Sequence, residues 1–273
     1  MDIKVLVALH KSYPVSEDPM YAPIQLGALG KETLTLPEQP GKKLLRDDKG
    51  DNISRKNPSY CELTGFYYAW KNMSCDYLGL VHYRRYFKGK TPFGKRTVRD
   101  ALHGVLKKEE AEEILKDADI IVPKKRRYVI ETLESHYAHT MTDKHLPLAR
   151  KVVSEKYPSD LPYVDEAYRL TSGYMFNMFI MKKDLADEYA RWLFTILKEL
   201  EFRIDTQNLS AFDMRFYGRI SEILFNAWIL KKEEEGLVIE EVPVIFLEKE
   251  KWGKKIRAFL AAKFFGKKYK ESF

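Results

Sequence analysis

The sequence has little cysteine and no long apolar run, and each shortage excludes a class of protein. Its 273 residues include two cysteines, Cys61 and Cys75, which are too few for a disulfide framework or a cysteine-based metal site. We expect both to be reduced and structural. No run of about 18 apolar residues occurs, which excludes a membrane-spanning helix. The first ten residues lack a small-residue cleavage site, so we expect a cytoplasmic protein without a secretory signal.

Three motifs of common enzyme classes are also missing. The sequence has no G-x-G-x-x-G fingerprint and no G-x-x-x-x-G-K-[ST] phosphate loop, which disfavours dinucleotide dehydrogenases and P-loop kinases. It has no G-x-S-x-G motif either, so the nucleophile elbow of an α/β-hydrolase is not predicted.

The positive charge is concentrated in the last 23 residues. The formal net charge is +7, and residues 251–273 carry eight Lys or Arg against one Glu, which is also +7. The rest of the chain is therefore neutral, which argues against a nucleic-acid-binding body. Apolar residues in this tail fall at helical spacing, a pattern typical of a basic amphipathic helix on a membrane surface. The alternative is a terminal helix packed back on the domain.

The hydrophobic pattern predicts an α/β fold with a central, mostly parallel sheet flanked by helices. We predict one domain over residues 1–250, followed by the tail at 251–273. Apolar runs predict strands at 3–9, 76–81, 118–122, 173–181 and 240–247. Helical spacing predicts helices at 57–72, 107–115, 183–201 and 218–230, and mostly helix over 129–156. Residues 14–53 read as a long loop.

Ligands of open α/β sheets bind beyond the carboxyl ends of the strands, so residues at those ends are candidates for a binding site. The predicted strand at 76–81 is followed by His82, Tyr83, Arg84 and Arg85. Two guanidinium groups can each form paired hydrogen bonds with phosphate oxygens. The alternative is that both arginines pair with surface acids and that His82 is a satisfied core residue.

Three further positions carry polar groups whose roles stay open. Asn177 interrupts an otherwise apolar predicted strand, where an unpaired amide costs about 1–3 kcal/mol, so it needs a ligand hydroxyl or a backbone partner. Ser221 and Glu222 begin a predicted helix, where a cap and a dipole-stabilising acid are the ordinary explanation. His136, His139 and Asp143 share one predicted helix face suited to a metal or a sugar, without the His-Glu-x-x-His spacing.

Five segments together resemble a bacterial family from capsular and exopolysaccharide gene clusters, long catalogued as a domain of unknown function and now regarded as glycosyltransferase. They are KVLVALHKSYPV, GDNISRKNPSYCELTGFYYAWKN, DYLGLVHYRRYF, GYMFNMFIMKKDLADEY and YGRISEILFNAWI. The resemblance implies a glycosyltransferase-A-like fold and a nucleotide-sugar donor, UDP-linked, with UDP-galactofuranose as one type. It also implies a hexosyltransferase whose acceptor is a lipid-linked repeat unit at the inner face of the cell membrane.

One departure from that resemblance bears on the mechanism. Many glycosyltransferase-A enzymes end the equivalent strand with an Asp-x-Asp that binds a divalent metal, whereas this chain has His82-Tyr83-Arg84. Fixed cations can also stabilise charge on a departing nucleoside diphosphate. We therefore predict metal-independent transfer with Arg84 and Arg85 on the pyrophosphate, and no cofactor such as Mn²⁺.

The resemblance also implies roles for other residues. Glu222 is the candidate general base, with Asp213 as its backup. The remaining predicted donor contacts are His10, Tyr13, Asn52, Asn57, His82, Tyr83 and Asn177, and the predicted acceptor contacts are His136 and His139. A noncatalytic nucleotide- or carbohydrate-binding subunit of a polysaccharide assembly complex is the alternative. An RNA-binding module is disfavoured by the neutral body and by the lack of an RNA-binding motif.

Overall fold

The computed structural model describes residues 1–36, 39, 41–92, 94, 97–207 and 209–248. These residues fall into two units by their contacts. The first unit comprises Met1–Lys124, Phe176–Ala190 and Gly236–Glu248, and the second comprises Lys125–Met175 and Arg191–Glu235. The predicted basic tail at 251–273 lies outside the described residues.

The strands and helices follow one another along the chain. The strands are β1 (Ile3–Leu9), β2 (Tyr21–Gln25), β3 (Leu45–Arg46), β4 (Tyr77–His82), β5 (Arg85–Phe87), β6 (Ile120–Pro123), β7 (Arg126–Arg127), β8 (Ser172–Gly173), β9 (Phe179–Lys182), β10 (Ile239–Val242) and β11 (Val244–Phe246). The helices are α1 (Asn57–Tyr60), α2 (Leu63–Asn72), α3 (Val98–His103), α4 (Lys108–Ile114), α5 (Leu133–Thr140), α6 (His145–Lys156), α7 (Leu161–Arg169), α8 (Lys183–Glu201) and α9 (Phe216–Glu234).

The sheet of the first unit is largely parallel, as the sequence predicts. Its strand order is β10-β6-β9-β4-β1-β2-β3, and in this path of the described strands β9 runs against the other six. Strand β1 lies near the centre, and its Ile3, Val5, Val7 and Leu9 are buried in the core. Because Ala8 pairs with His82 in the parallel register of β1 and β4, the residues that follow both strands emerge at the same sheet edge.

Several predicted boundaries are wrong in informative ways. The expected loop at 14–53 contains β2 and β3, which extend the sheet in parallel but are too short to produce a clear apolar pattern. The expected helix at 57–72 is broken at Cys61, whose φ is 53°. The expected last strand divides at Pro243, so that β10 pairs with β6 whereas β11 pairs with β5.

A buried carboxylate organises the loop that follows β2. Asp47 is fully buried and accepts hydrogen bonds from the backbone amides of Gly27 (2.7 Å) and Ala28 (2.9 Å). It also accepts from the hydroxyls of Ser54 and Thr64, each at 2.6 Å. Gly27 has a φ of 55°, a backbone conformation that residues with a side chain rarely adopt. Four donors therefore fix this loop against the start of α2.

The second unit is mainly helical. Helices α5, α6, α7 and α9 pack together with the later part of α8, and β7 pairs with β8 in a two-stranded antiparallel sheet. Asp160 is buried and binds the indole nitrogen of Trp192 and the ammonium of Lys231, each at 2.9 Å. Neither unit has, in its described part, a helix long and apolar enough to cross a membrane.

Both cysteines lie in the first unit as half-buried, reduced thiols. Burial raises the pKa of the Cys75 thiol to about 11, which disfavours the reactive thiolate at neutral pH. Cys75 is therefore suited to a structural role, as expected.

Candidate functional site

The most specific sequence motif forms a hairpin at the carboxyl edge of the first unit's sheet. Strand β4 ends at His82, Tyr83 and Arg84 make the turn, and β5 begins at Arg85, which pairs with His82. The amide of Tyr83 donates to the carbonyl of Ala8 at 3.2 Å, which ties the turn to β1. The motif therefore lies where ligands of open α/β sheets bind.

Tyr83 is the aromatic centre of this edge. Only 1% of it is exposed, and its ring centroid lies 4.4 Å from that of His82, 4.7 Å from Tyr13 and 5.0 Å from His10. Its hydroxyl oxygen is 3.4 Å from Nε2 of His10. The structure thus brings together four of the residues predicted to contact the donor.

Arg84 shares a carboxylate with Tyr13. Nη1 of Arg84 lies 3.5 Å from Oε2 of Glu248, while the Tyr13 hydroxyl donates to Oε1 at 3.0 Å. Burial, and then the bond to Glu248, raise the pKa of Tyr13 well above its usual range, so the phenol stays a donor. The alternative that an arginine pairs with a surface acid is therefore realised for Arg84. Both partners of this ion pair are partly exposed, so it contributes about 0–1 kcal/mol.

Arg85 is held by aromatic rings. Its guanidinium carbon lies 4.6 Å from the ring centroid of Phe176 and 5.8 Å from that of Phe246. Stacking on aromatic faces restrains the planar guanidinium and leaves its edge able to donate hydrogen bonds. The two arginines of the motif are therefore oriented by different interactions.

Asn177 precedes β9, so its predicted place inside a strand is wrong. Phe176 and Asn177 have φ values of 77° and 50°, in the left-handed region that residues other than glycine seldom adopt. The buried Asn177 amide donates to Oε1 of Glu62 at 2.7 Å. The hydrophobic pattern alone does not predict this turn, because the residues of the turn are as apolar as those of a buried strand.

Asn52 and Asn57 make local contacts in the first unit. The amide of Asn52 donates to the carbonyl of Gly50 at 2.9 Å. The amide of Asn57 donates to the carbonyl of Cys61 (2.8 Å) and to the hydroxyl of Thr64 (3.1 Å). These bonds give both side chains a structural role in the loop around Asp47, and their donor contacts stay a prediction.

The hairpin sequence His82-Tyr83-Arg84 differs chemically from an Asp-x-Asp metal site. A guanidinium is always cationic and has no lone pair to donate, so Arg84 cannot replace the second aspartate of an Asp-x-Asp motif. In the parts of the chain that the structure describes, no group of three or more His, Cys, Asp or Glu side chains could hold a metal ion. The guanidinium groups of Arg84 and Arg85 have the chemistry to bind an anionic ligand, and metal independence stays a prediction.

Glu222 lies in the second unit, in the second turn of α9 and not at its start. The helix begins at Phe216, so the expected cap at Ser221 is wrong: Ser221 is fully buried and donates to the carbonyl of Gly218 at 2.8 Å. Glu222 is half-buried, and its backbone carbonyl accepts from the Asn226 amide at 2.7 Å. A partly exposed carboxylate there can reach a ligand.

Asp213 lies in the 3₁₀ turn before α9 and is also half-buried. Its Oδ2 accepts from the hydroxyl of Ser210 at 2.7 Å, and the same hydroxyl accepts from its amide at 3.1 Å. These contacts give Asp213 a local role in the turn. The catalytic roles of Asp213 and Glu222 stay predictions.

His136 and His139 converge on a buried acid of the same unit. Nδ1 of His136 lies 3.0 Å from Oε2 of Glu131, and Nδ1 of His139 is hydrogen-bonded to Oε1. Burial lowers the pKa of His136 to about 4, with the hydrogen bond to Glu131 opposing the shift. His136 is therefore neutral near pH 7, and 42% of the His139 side chain is exposed.

Of the three residues predicted to share a helix face, only His136 and His139 lie on one helix. Helix α5 ends at Thr140, so Asp143 is not on the same helix as the two histidines. Glu131, the acid that does meet them, lies just before the helix and was missed. A glutamate next to the capping threonine at 132 was the available signal.

Glu248 and Glu62 were missed as well. Glu248 lies 164 residues from Arg84 in the sequence, and Glu62 lies 115 residues from Asn177. Position after a strand could have indicated Glu248, since it follows the last predicted strand directly. No local pattern indicated Glu62.

The fold and this chain's sequence are similar to those of known proteins. The family described as "Domain of unknown function (DUF4422)" matches residues 4–233. A solved structure, that of the WbbM bifunctional glycosyltransferase in its apo form, is 29% identical and superimposes with a TM-score of 0.79. The similarity covers 92% of this chain and 46% of that one, so the chain spans just under half the length of that protein. No curated protein sequence matches. Because the family matches most of its length, the chain belongs to the DUF4422 family.

Proposed function

We propose that this protein is a glycosyltransferase. The observation that carries the proposal is its similarity to the bifunctional glycosyltransferase, which extends over 92% of the chain at 29% identity with the same fold. Since the chain corresponds to just under half of that protein, the proposal concerns one transfer reaction and not both functions of a bifunctional enzyme.

The donor of the proposed reaction is a nucleotide sugar, UDP-linked, with UDP-galactofuranose as one candidate. Arg84 and Arg85 at the strand edge support this class, because guanidinium groups pair with the oxygens of a pyrophosphate. His10, Tyr13 and His82 pack around the buried Tyr83 and offer rings and polar atoms to the rest of the donor.

The proposed transfer forms a bond from an acceptor hydroxyl oxygen to the anomeric carbon and breaks the bond from that carbon to the phosphate oxygen. The electron pair leaves with the nucleoside diphosphate, and the arginines stabilise its charge. Glu222 takes the hydroxyl proton, with Asp213 as the alternative base. His136 and His139 are proposed to contact the acceptor.

The acceptor we propose is a lipid-linked capsular or exopolysaccharide repeat unit, reached at the inner face of the cell membrane. This part of the proposal rests on the family resemblance and on the basic amphipathic pattern of residues 251–273. Deleting those residues is expected to release the protein from anionic liposomes without abolishing donor binding.

The test is thermal stability with UDP, UDP-glucose, UDP-galactopyranose and UDP-galactofuranose, each with Mn²⁺ and with EDTA. A ligand at 100 times its Kd stabilises the fold by about 2.7 kcal/mol, which raises the midpoint by several degrees. A shift that persists in EDTA supports both the donor class and the arginine-based, metal-independent mechanism. A shift that requires Mn²⁺ contradicts metal independence, and no shift with any ligand contradicts the UDP-sugar donor.

A further inference from the structure

The second unit carries a short segment in which positive charge and exposed aliphatic side chains occur together. Residues 125–130 read Lys-Arg-Arg-Tyr-Val-Ile, and we call them the basic-apolar segment. Hydrogen bonds hold its backbone in place, since β7 pairs with β8 and the amide of Tyr128 donates to the carbonyl of Thr171 at 2.8 Å. The glycosyl transfer proposed above uses none of these residues.

The end of the segment projects apolar groups into solvent. Val129 is 80% exposed and Ile130 is 49% exposed. The φ of Val129 is 58°, a true outlier for a β-branched residue. The amide of Ile130 closes the turn by donating to the carbonyl of Tyr128 at 2.6 Å. Exposing an aliphatic side chain to water does not stabilise the fold. Strained backbone conformations of this kind are often found at functional sites.

The buried side chain of Tyr128 anchors this turn to the second unit. Its ring centroid lies 4.3 Å from that of His136. The two residues after it are therefore displayed from a fixed base. Because the turn is already held in one conformation, little conformational entropy is lost when it binds a partner.

Two of the three cations of the segment contact aromatic rings. Arg126 and Arg127 are exposed, and Lys125 is half-buried. Lys125 lies 4.8 Å from the ring centroid of Tyr174, and Arg126 lies 5.2 Å from that of Tyr128. Within the described ranges, none of the three forms an ion pair with a carboxylate. The nearby Glu131 binds two histidines instead.

We propose that the basic-apolar segment docks on an anionic lipid surface. Lys and Arg side chains near such a surface are attracted to its phosphates and carboxylates, while adjacent aliphatic side chains enter the boundary between headgroups and acyl chains. RNA fits less well, because single-stranded RNA stacks on exposed aromatic rings and Tyr128 is buried. Two aliphatic residues are also too small an area for a stable protein interface.

The inference depends on residues 125–130 and not on the proposed transfer, so the two can fail separately. The experiment measures binding of the full-length protein to vesicles of phosphatidylcholine, alone and mixed equally with phosphatidylserine. The variants are V129S/I130S and K125Q/R126Q/R127Q. Because every protein retains residues 251–273, differences between them report the segment alone.

Each cation is expected to contribute about five-fold to the affinity for anionic vesicles, so the triple variant should bind roughly a hundred-fold more weakly. The V129S/I130S variant should bind about ten-fold more weakly, and vesicles without phosphatidylserine should bind the parent poorly. F202S is the matched control: Phe202 is 78% exposed in the same unit but not near a cationic run in the sequence, and its binding should stay that of the parent.

Unchanged vesicle affinity in both variants, with unaltered thermal midpoints, would overturn the proposal. Binding of a homopolymeric RNA that is lost in the triple variant but retained in V129S/I130S, without an effect of either on vesicles, would assign the segment to nucleic acid instead. Stabilisation by UDP ligands should be the same in all variants, which separates a failure of docking from a failure of donor binding.

Discussion

The side chain of Asn226 binds both backbone polar groups of Tyr174: it accepts from the amide at 2.7 Å and donates to the carbonyl at 3.1 Å. Both residues are buried, so no water can replace these bonds. Asn226→Ala should therefore reduce the free energy of unfolding by about 3 kcal/mol, since it leaves two buried groups unsatisfied. Urea unfolding followed by circular dichroism measures the change.

The matched control for that variant is Gln207→Ala. Gln207 is exposed in the same unit, so removing its amide should change the free energy of unfolding by less than about 0.5 kcal/mol. An Asn226→Ala variant as stable as this control would contradict the structural role.

Acid should destabilise the protein in part through His136. Its folded pKa is about 4, below the ordinary 6.5, so the unfolded chain binds this proton first as the pH falls. Stability is therefore lost between about pH 6.5 and pH 4, by at most about 3 kcal/mol. Asn can donate to Glu131 in place of Nδ1, so His136→Asn should keep the bond and remove this loss.

The measurement compares unfolding free energies of the parent and His136→Asn across that pH window. The difference between the two curves should change steadily as the pH falls. Parallel curves would mean that His136 is not held neutral by its burial.

Arg84 and Glu248 should respond oppositely to substitution. If Arg84 binds the donor pyrophosphate, Arg84→Ala loses a charged hydrogen bond and should weaken UDP affinity by about 10- to 100-fold. Glu248→Gln removes a competing negative charge from a partly exposed pair, so UDP affinity should stay the same or rise by up to about five-fold. Isothermal titration with UDP measures both. A similar loss in both variants would instead make Glu248 a necessary positioning group.

Glu222→Gln tests the proposed general base. Removing a base lowers turnover by about 10²- to 10⁴-fold and leaves ground-state binding of the donor nearly unchanged. The rate of UDP release measures turnover, and the affinity of the variant for UDP measures donor binding. Weakened UDP binding would make Glu222 a donor ligand, and a normal rate in Glu222→Gln with a large loss in Asp213→Asn would transfer the role to Asp213.

Strong periodic patterns were enough to predict the central elements. Strand β1 and helix α8 coincide with the predicted ranges 3–9 and 183–201, because one is continuously apolar and the other strongly amphipathic. Strand direction predicted the position of Tyr83 at the carboxyl edge of the sheet, and the family resemblance added His10 and Tyr13.

What the sequence could not predict depends on backbone turns and on distant partners. The left-handed turn at Phe176 and Asn177 has the composition of a strand, so the apolar pattern misassigned it. Glu62 is recognised as the partner of Asn177 only once the fold brings the two together, because they lie 115 residues apart. Pairing over such a sequence distance leaves no local signal, whereas Glu131 and Glu248 each had one.

The two last strands set a practical limit on shortening this protein. The family match ends at residue 233, but β10 and β11 lie beyond it and cover the edges of β6 and β5. A chain cut at the end of the match would expose two unpaired strand edges, which are templates for intermolecular pairing. It should aggregate, whereas one that continues through residue 248 keeps both edges covered. Strand pairing, and not the extent of family similarity, therefore decides where the protein can be cut.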